Sequence, residues 1–247
     1  MRLIILAAGY GSRLSPATQS IPKPLFDIGG GVTILERQLQ AAKLCGIDDV
    51  RLVVGYKAEQ IEEMLDKRAD LGLNTDVYYN PFFKTTNNLV SLWTARPAMD
   101  DDFIMLNGDD VFRPSLLTQL METEGEFTAP ISRKSQYDED DTKIITEGDQ
   151  VVRIGKDLPP EKVNAEWIGM CIVRGAARKR FVALMDRLIR DPSLRDGAPH
   201  YLSLLQGLID SGVTMNIHEI APDSWAEIDF QMDLDYVRAN LTRFNDV

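Results

Sequence analysis

The sequence predicts an α/β fold built on a mainly parallel sheet with helices packed against it. Three observations predict it. Short apolar runs alternate with stretches of helical periodicity over the first ~110 residues, the pattern left by right-handed crossovers between parallel strands. The opening run, Leu3 to Ala8, is apolar without interruption, as a strand covered on both faces must be. No Gly/Ser linker, internal repeat or low-complexity tract divides the chain, so one domain over residues 1–247 is expected.

The elements follow in order. After the first strand comes a long loop rich in Gly, Ser and Pro, from Gly9 to about Gly31. Thr33 can cap a helix whose apolar positions Ile34, Leu35, Leu39 and Ala42 recur at helical spacing, with Gly46 as its stop. Arg51 to Val54 reads as a second buried strand. Ala58 to about Arg68 reads as a helix with Ile61 and Leu65 inward. Asp76 to Tyr79 is a third strand, and Asn88 to Arg96 a helix that ends before Pro97. Phe103 to Leu106 is a fourth strand, running into Asn107-Gly108-Asp109-Asp110. Beyond it, strands are expected at Phe127–Ser132, Lys143–Thr146, Gln150–Ile154, Trp167–Val173 and Val213–Ile220. Helices are expected at Ala176–Ile189, His200–Asp210 and Met232–Phe244.

Composition narrows the function. Hydrophobic residues at 44% and charged residues at 26% exclude disordered, collagen-like and coiled-coil classes. Lys and Arg number 27 against 38 Asp and Glu, a net charge of −11, which argues against nucleic acid as the partner. A small phosphorylated ligand needs only a few placed cations and stays open. Cys45 and Cys171 show no metal-ligand spacing and read as buried thiols. The apolar run at the N-terminus is too short for a signal-peptide core, and no run approaches the ~18 residues of a membrane span. A cytoplasmic protein without a membrane partner is expected; nothing in the sequence sets an oligomeric state.

In a parallel sheet, ligands sit beyond the carboxyl ends of the strands, and two segments fall there. Gly9-Tyr10-Gly11-Ser12-Arg13-Leu14 leaves the first strand. Its glycines let backbone N–H groups approach a phosphate, and Arg13 adds a fork of donors. Leu14 stands where a dinucleotide fingerprint has its third glycine, and no Gly-Lys-Ser/Thr ending makes a P-loop. A tight turn after a strand is the competing reading. Pro22-Lys23-Pro24-Leu25, on the same loop, holds a lysine on a restricted backbone within reach of the same phosphates. Gly108-Asp109-Asp110 is the second segment.

Leu6-Ala7-Ala8-Gly9-Tyr10-Gly11-Ser12-Arg13-Leu14, followed by Pro22-Lys23-Pro24-Leu25, resembles the N-terminal signature of the nucleotidyltransferases that make NDP-sugars and CDP-alcohols. The resemblance implies a Rossmann-like fold of the glycosyltransferase-A type. It also implies a reaction that joins a nucleoside triphosphate to a phosphorylated acceptor and releases pyrophosphate. Leu6, Ala7, Ala8, Gly9, Gly11 and Ser12 would then line the nucleotide, with Arg13 and Lys23 as catalytic cations. Asp109 matches the family's Mg²⁺ aspartate, and Asp229 in Trp225-Ala226-Glu227-Ile228-Asp229 matches the second metal carboxylate. A hard cation takes oxygen ligands of this kind. Asp110 and Glu227 are weaker candidates.

Lys156 occupies the place of the lysine that binds the acceptor phosphate, although Gly155 and Asp157 depart from the family's flanking residues. An exposed hairpin lysine is the alternative. Tyr79-Asn80-Pro81-Phe82-Phe83 and Asn87-Asn88-Leu89-Val90-Ser91-Leu92-Trp93 resemble the bacterial CTP:phosphocholine cytidylyltransferases more than the sugar enzymes. Asn87 and Asn88 would face the pyrimidine, unless Asn88 instead caps the helix. Glu166, Trp167, Trp225 and Glu227 flank the acceptor by resemblance, although tryptophans are more often core. The acidic run Tyr137-Asp138-Glu139-Asp140-Asp141 reads as a solvated loop, and His200 and His218 as structural. The expected reaction couples CTP to a phosphorylated amino-alcohol or a phosphonate. A sugar-1-phosphate nucleotidylyltransferase is the alternative. A glycosyltransferase of this fold would need neither Lys23 nor Arg13.

Overall fold

The computed structural model describes residues 1–14, 20–191 and 201–246. Its centre is a ten-stranded sheet ordered β11-β8-β7-β9-β6-β10-β4-β1-β2-β3. Strands β1 (Arg2–Ala7), β2 (Asp49–Val54), β3 (Asn74–Tyr79) and β4 (Phe103–Asn107) form a parallel block. The chain leaves β1 toward β2 on one side and returns to β4 on the other. The carboxyl ends of β1 and β4 therefore flank the crevice where the strand order reverses.

Helix α1 (Ile34–Leu44) begins as the sequence predicts. Thr33 Oγ1 accepts from the Glu36 amide at 3.1 Å while Glu36 accepts from the Thr33 amide at 3.3 Å, a reciprocal cap. Helix α2 spans Ala58–Lys67 and α3 spans Asn88–Thr94, with a 3₁₀ turn at Arg96–Asp100 after it. Asn87, rather than Asn88, caps α3, its Oδ1 accepting from the Leu89 amide at 3.4 Å.

The second half adds what periodicity alone did not predict. Strands β6 (Phe127–Ser132), β7 (Lys143–Glu147) and β8 (Gln150–Gly155) match expectation. The run expected over Trp167–Val173 is two strands, β9 (Ala165–Trp167) and β10 (Met170–Val173), pairing with different neighbours. Gly169, at φ +77°, breaks it; a β-carbon there would collide with the Asp110 carboxylate. Strand β10 runs antiparallel to β4 and β6, so the sheet changes character beyond the parallel block. Strand β11 is Asn216–Ile220. Two three-residue strands, β5 (Asp110–Phe112) and β12 (Trp225–Glu227), make a separate antiparallel ribbon. Helix α4 (Ser115–Glu122) was also not expected. Helices α5 (Gly175–Arg190), α6 (Tyr201–Asp210) and α7 (Gln231–Ala239) were, though α7 stops five residues before Phe244 and a 3₁₀ turn at Leu241–Phe244 follows. His200 lies outside the described residues.

Strand β1 separates two cores. Ile4 faces one with Met105 and Phe181; Leu3 and Ile5 face the other with Leu35, Leu39 and Leu106. Each such side chain contributes ~1.5–3 kcal/mol by leaving water. A third core joins Leu14, Phe26 and Ile28 of the first loop to Val111, Ile228, Leu234, Val237 and Phe244. It fastens the glycine loop, the β5–β12 ribbon and the C-terminal helix to one another. Cys171 is buried as expected, whereas Cys45 is half-buried with its thiol against the Pro114 carbonyl. Among the described residues, no helix is long and apolar enough to cross a membrane.

Candidate active site

A cavity of about 400 Å³ opens at the carboxyl ends of β1 and β4. Leu6, Ala7, Ala8, Gly9, Gly11, Arg13 and Lys23 line it from the first strand and loop. Asn87 and Asn88 line it from α3, Asp109 from the turn after β4, and Lys156, Trp167, Glu227 and Asp229 from the second half. Ser12 lies in the 3₁₀ turn Ser12–Leu14 of the same loop. Residues more than two hundred positions apart thus meet because the third core folds the C-terminal segment back onto the first loop.

The centre of the cavity is a charge network. Lys23 lies in a 3₁₀ turn, Lys23–Leu25, and is only 7% exposed. Its Nζ donates to Asp109 Oδ2 and Asp229 Oδ1, each at 2.6 Å. Arg13 Nη1 lies 2.9 Å from Asp229 Oδ2 and donates to Asp140 Oδ1 at 2.9 Å. Its guanidinium stands 5.6 Å from the Phe230 ring. Burial lowers the Lys23 pKa, but Asp109 and Asp229 outweigh it and the net shift is upward. Partial burial likewise opposes ionisation of Asp229. Lys23 and Arg13 overcome it and hold the carboxyl below the usual range.

The acidic side is placed by backbone. Ribbon β5–β12 sets Glu227 directly opposite Asp110, and the Ile228 amide donates to the Asp109 carbonyl at 3.1 Å. Asp233 Oδ2 accepts from the Asp229 amide at 2.9 Å and the Phe230 amide at 2.6 Å, fixing the turn into α7. Glu227 is open to the cavity, yet the enclosing walls and the charges of Asp109 and Asp229 push its carboxyl up to about 8. Asp110 is 2% exposed, and neither of its oxygens finds a hydrogen-bond partner among the described residues. Burial, then Asp109 and Glu227, raise it well above the usual carboxyl value.

Oxygens of Asp109, Glu227 and Asp229 lie within 4.8 Å of one another. An all-carboxylate oxygen set at that spacing fits a hard divalent cation. Asp109, Asp229 and Glu227 could therefore offer three oxygen ligands to a divalent cation.

Other expected residues fall differently. Glu166 does not line the cavity; it is buried against Lys134 at 2.7 Å, and burial, partly offset by that lysine, pushes it up to about 7. Trp225 is not in the lining either, since it lies opposite Phe112 on the ribbon and packs into the core. Trp167 is 3% exposed, donates from Nε1 to the Met170 carbonyl at 2.6 Å and meets the Tyr201 ring edge-on. It offers the cavity little ring face. Asn88 Oδ1 accepts from the Tyr201 amide at 3.0 Å, tying α3 to α6. Asp140 breaks the expectation of a solvated acidic loop: besides holding Arg13, its carbonyl accepts from Lys156 Nζ at 2.9 Å. His218 sits beside Gln119 and does not line the cavity. Asn107, Thr142 and Tyr201 line the cavity without having been anticipated. Asn107 alone carried a signal, standing immediately before Gly108-Asp109 at a strand end.

Known proteins share this fold and stretches of its sequence. The chain is 28% identical over 239 residues to the CMP-5'-(3-aminopropyl)phosphonate synthase of Streptomyces rubellomurinus, covering 93% of this chain and 37% of that protein. It is 25% identical over 256 residues to the CTP:phosphoglutamine cytidylyltransferase of Campylobacter jejuni, covering 95% and 98%. The CTP:phosphocholine cytidylyltransferase from Streptococcus pneumoniae superposes with a TM-score of 0.75 over 97% of this chain and 98% of that one, at 21% identity. The chain spans about a third to a half of the length of two of the curated relatives it matches. The nucleotidyl transferase family matches residues 2–141, the segment that carries the glycine loop, Lys23 and Asp109. On that match, which takes in more than half of its length, the chain belongs to the nucleotidyl transferase family.

Proposed function

We propose that residues 1–247 form one nucleotidyltransferase domain that couples CTP to a phosphorylated or phosphonylated acceptor, releasing pyrophosphate. One observation carries the reading: two cations, Arg13 and Lys23, and three carboxylates, Asp109, Glu227 and Asp229, converge in one cavity at the strand ends. That is the charge pattern for holding a triphosphate with its cation.

In the proposed reaction an acceptor phosphate oxygen attacks the α-phosphorus, and the bond from that phosphorus to the bridging oxygen of the β-phosphate breaks. Pyrophosphate leaves with the bonding pair. The attacking oxygen is already anionic at neutral pH, so no general base is required. Arg13 and Lys23 meet charge that develops on the leaving group, and the loop at Gly9 and Gly11 brings backbone N–H groups to the phosphates. Mg²⁺ held by Asp109 and Asp229 would neutralise phosphate charge and orient the triphosphate. Asn87 and Asn88 line the cavity and would face the base, and Lys156, which also lines it, would take the acceptor phosphate. Loading the cation and the triphosphate requires Lys23 to turn from Asp109 and Asp229, and Arg13 from Asp229 and Asp140, toward phosphate oxygens.

Relatives named for CMP and CTP chemistry support cytidylyl transfer, and those named for an aminopropylphosphonate and a phosphoglutamine support an acceptor with an amino group. The test is pyrophosphate release across a matrix of the four ribonucleoside triphosphates and dTTP against aminoalkyl phosphates, aminoalkyl phosphonates and hexose 1-phosphates. CTP with an amino-bearing acceptor should lead. A hexose 1-phosphate that leads by tenfold in kcat/KM, ~1.4 kcal/mol of transition-state preference, would move the chain to the sugar-1-phosphate nucleotidylyltransferases.

A further inference from the structure

Helix α1 carries one buried polar side chain among its inward residues. Gln38 is 1% exposed, between Leu35, Leu39 and Ala42, which are apolar and equally buried. Its Nε2 donates to the Asn107 carbonyl at 3.0 Å and the Asp110 carbonyl at 2.8 Å. Those are the first and last carbonyls of the turn that presents Asp109, and together they use both protons of the amide. Oε1 finds no partner among the described residues. A buried unsatisfied oxygen is a standing cost, and an apolar side chain of the same length would avoid it. The residue therefore serves its two donated hydrogen bonds, not the filling of space.

Other contacts hold the same turn. The Gly108 amide donates to the Leu6 carbonyl at 2.9 Å, and a β-carbon at Gly108 would come within 2.8 Å of that oxygen. The Asp109 carbonyl accepts from Ile228. Strand β1 and the end of β12 thus fix the middle of the turn, and Gln38 fixes both ends. Without it two buried carbonyls lose their donor, and the peptide planes around Asp109 are free to rotate toward other partners.

We infer that Gln38 is a positioning residue: it sets the Asp109 carboxylate in register with Asp229 and Glu227 for a divalent cation, while touching neither cation nor substrate. The inference rests on the metal-dependent reading of the site above. Its test is Gln38→Met, of similar length but without the amide, with Asp109→Asn made in parallel. The readouts are the melting midpoint, Mn²⁺ affinity of the substrate-free protein from the electron paramagnetic resonance of unbound Mn²⁺, and kcat with each KM. The variant should fold, bind Mn²⁺ about 10–100-fold more weakly, as loss of a ligand's supporting hydrogen bond typically does, and lose kcat with the acceptor KM unchanged. If Asp109→Asn weakens Mn²⁺ while Gln38→Met matches the parent, the positioning role is overturned and the metal reading stands. If Asp109→Asn binds Mn²⁺ as the parent does, the metal reading fails and the inference with it. Should Gln38→Met not fold, Gln38→Asn, whose shorter amide cannot span both carbonyls, takes its place under the same criteria. Failure of both to fold makes Gln38 a folding residue and overturns the assignment.

Discussion

Lys23 is held between two carboxylates, 2.6 Å from each, so its charge is fixed before any phosphate arrives. Replacing it removes a preplaced cation from the developing leaving-group charge, a loss on the order of 3 kcal/mol or ~100-fold in turnover. Lys23→Ala should therefore fold, by circular dichroism, and release pyrophosphate about a hundredfold more slowly; near-parental turnover would take Lys23 out of the mechanism. Asp140 works in the opposite sense. Its carboxylate competes with phosphate for Arg13, and both side chains are largely exposed, so the pair is worth only ~0.2–1 kcal/mol. Asp140→Asn should lower KM for the triphosphate by about two- to fivefold at low salt, with the difference fading as salt rises. A raised KM would mean that Asp140 helps to bind substrate.

Ribbon β5–β12 is the element that brings the acidic residues together, and it does so at a cost. Asp110 and Glu227 face each other across it, and like charges directly opposite destabilise a strand pair. Burial, then the charges of Asp109 and Glu227, raise the Asp110 carboxyl well above its ordinary value, which favours its neutral form in the folded protein. An acid whose folded pKa exceeds its unfolded one binds a proton in the folded state that the unfolded chain has released. Stability from this group is then fully present below the unfolded value, near pH 4, and falls as pH rises toward the folded one. Asp110→Asn, neutral at every pH, should flatten that fall. Its melting midpoint should exceed the parent's at about pH 8 and converge with it at about pH 4. Parallel midpoint curves would show that Asp110 is charged in the folded protein. The third core is the other element on which the site rests: Phe244→Ala should cost ~3–5 kcal/mol and loosen the link between α7 and the first loop.

At the scale of the whole molecule, the parallel block β3-β2-β1-β4 was legible because buried strands and amphipathic helices leave opposite periodicities in the sequence. The ribbon was not, since three-residue strands leave too short a pattern to read and Asp110-Val111-Phe112 resembles the tail of β4. Arg13, Lys23, Asp109 and Asp229 were marked by motif, and the fold draws them into one network. Glu166 and Trp225 were expected beside the acceptor by resemblance alone. Strand alternation turned Glu166 to the face opposite Trp167, which lines the cavity, whereas Trp225, on the same face of its strand as Glu227, packs against the core at the far end of the ribbon. Gln38 acts through two backbone carbonyls far along the chain, a relation that no local pattern encodes. On the proposed reading Asp109 and Asp229, far apart in sequence, hold one cation for one phosphoryl-transfer site. Initial rates of pyrophosphate release with CTP and an aminoalkyl phosphonate, in Mg²⁺, for the parent, Asp109→Asn, Asp229→Asn and the double variant test it most directly. Each single change should remove most activity, EDTA should do the same to the parent, and the double variant should be little worse than either single. Losses that multiply, or a parent indifferent to EDTA, would contradict that reading.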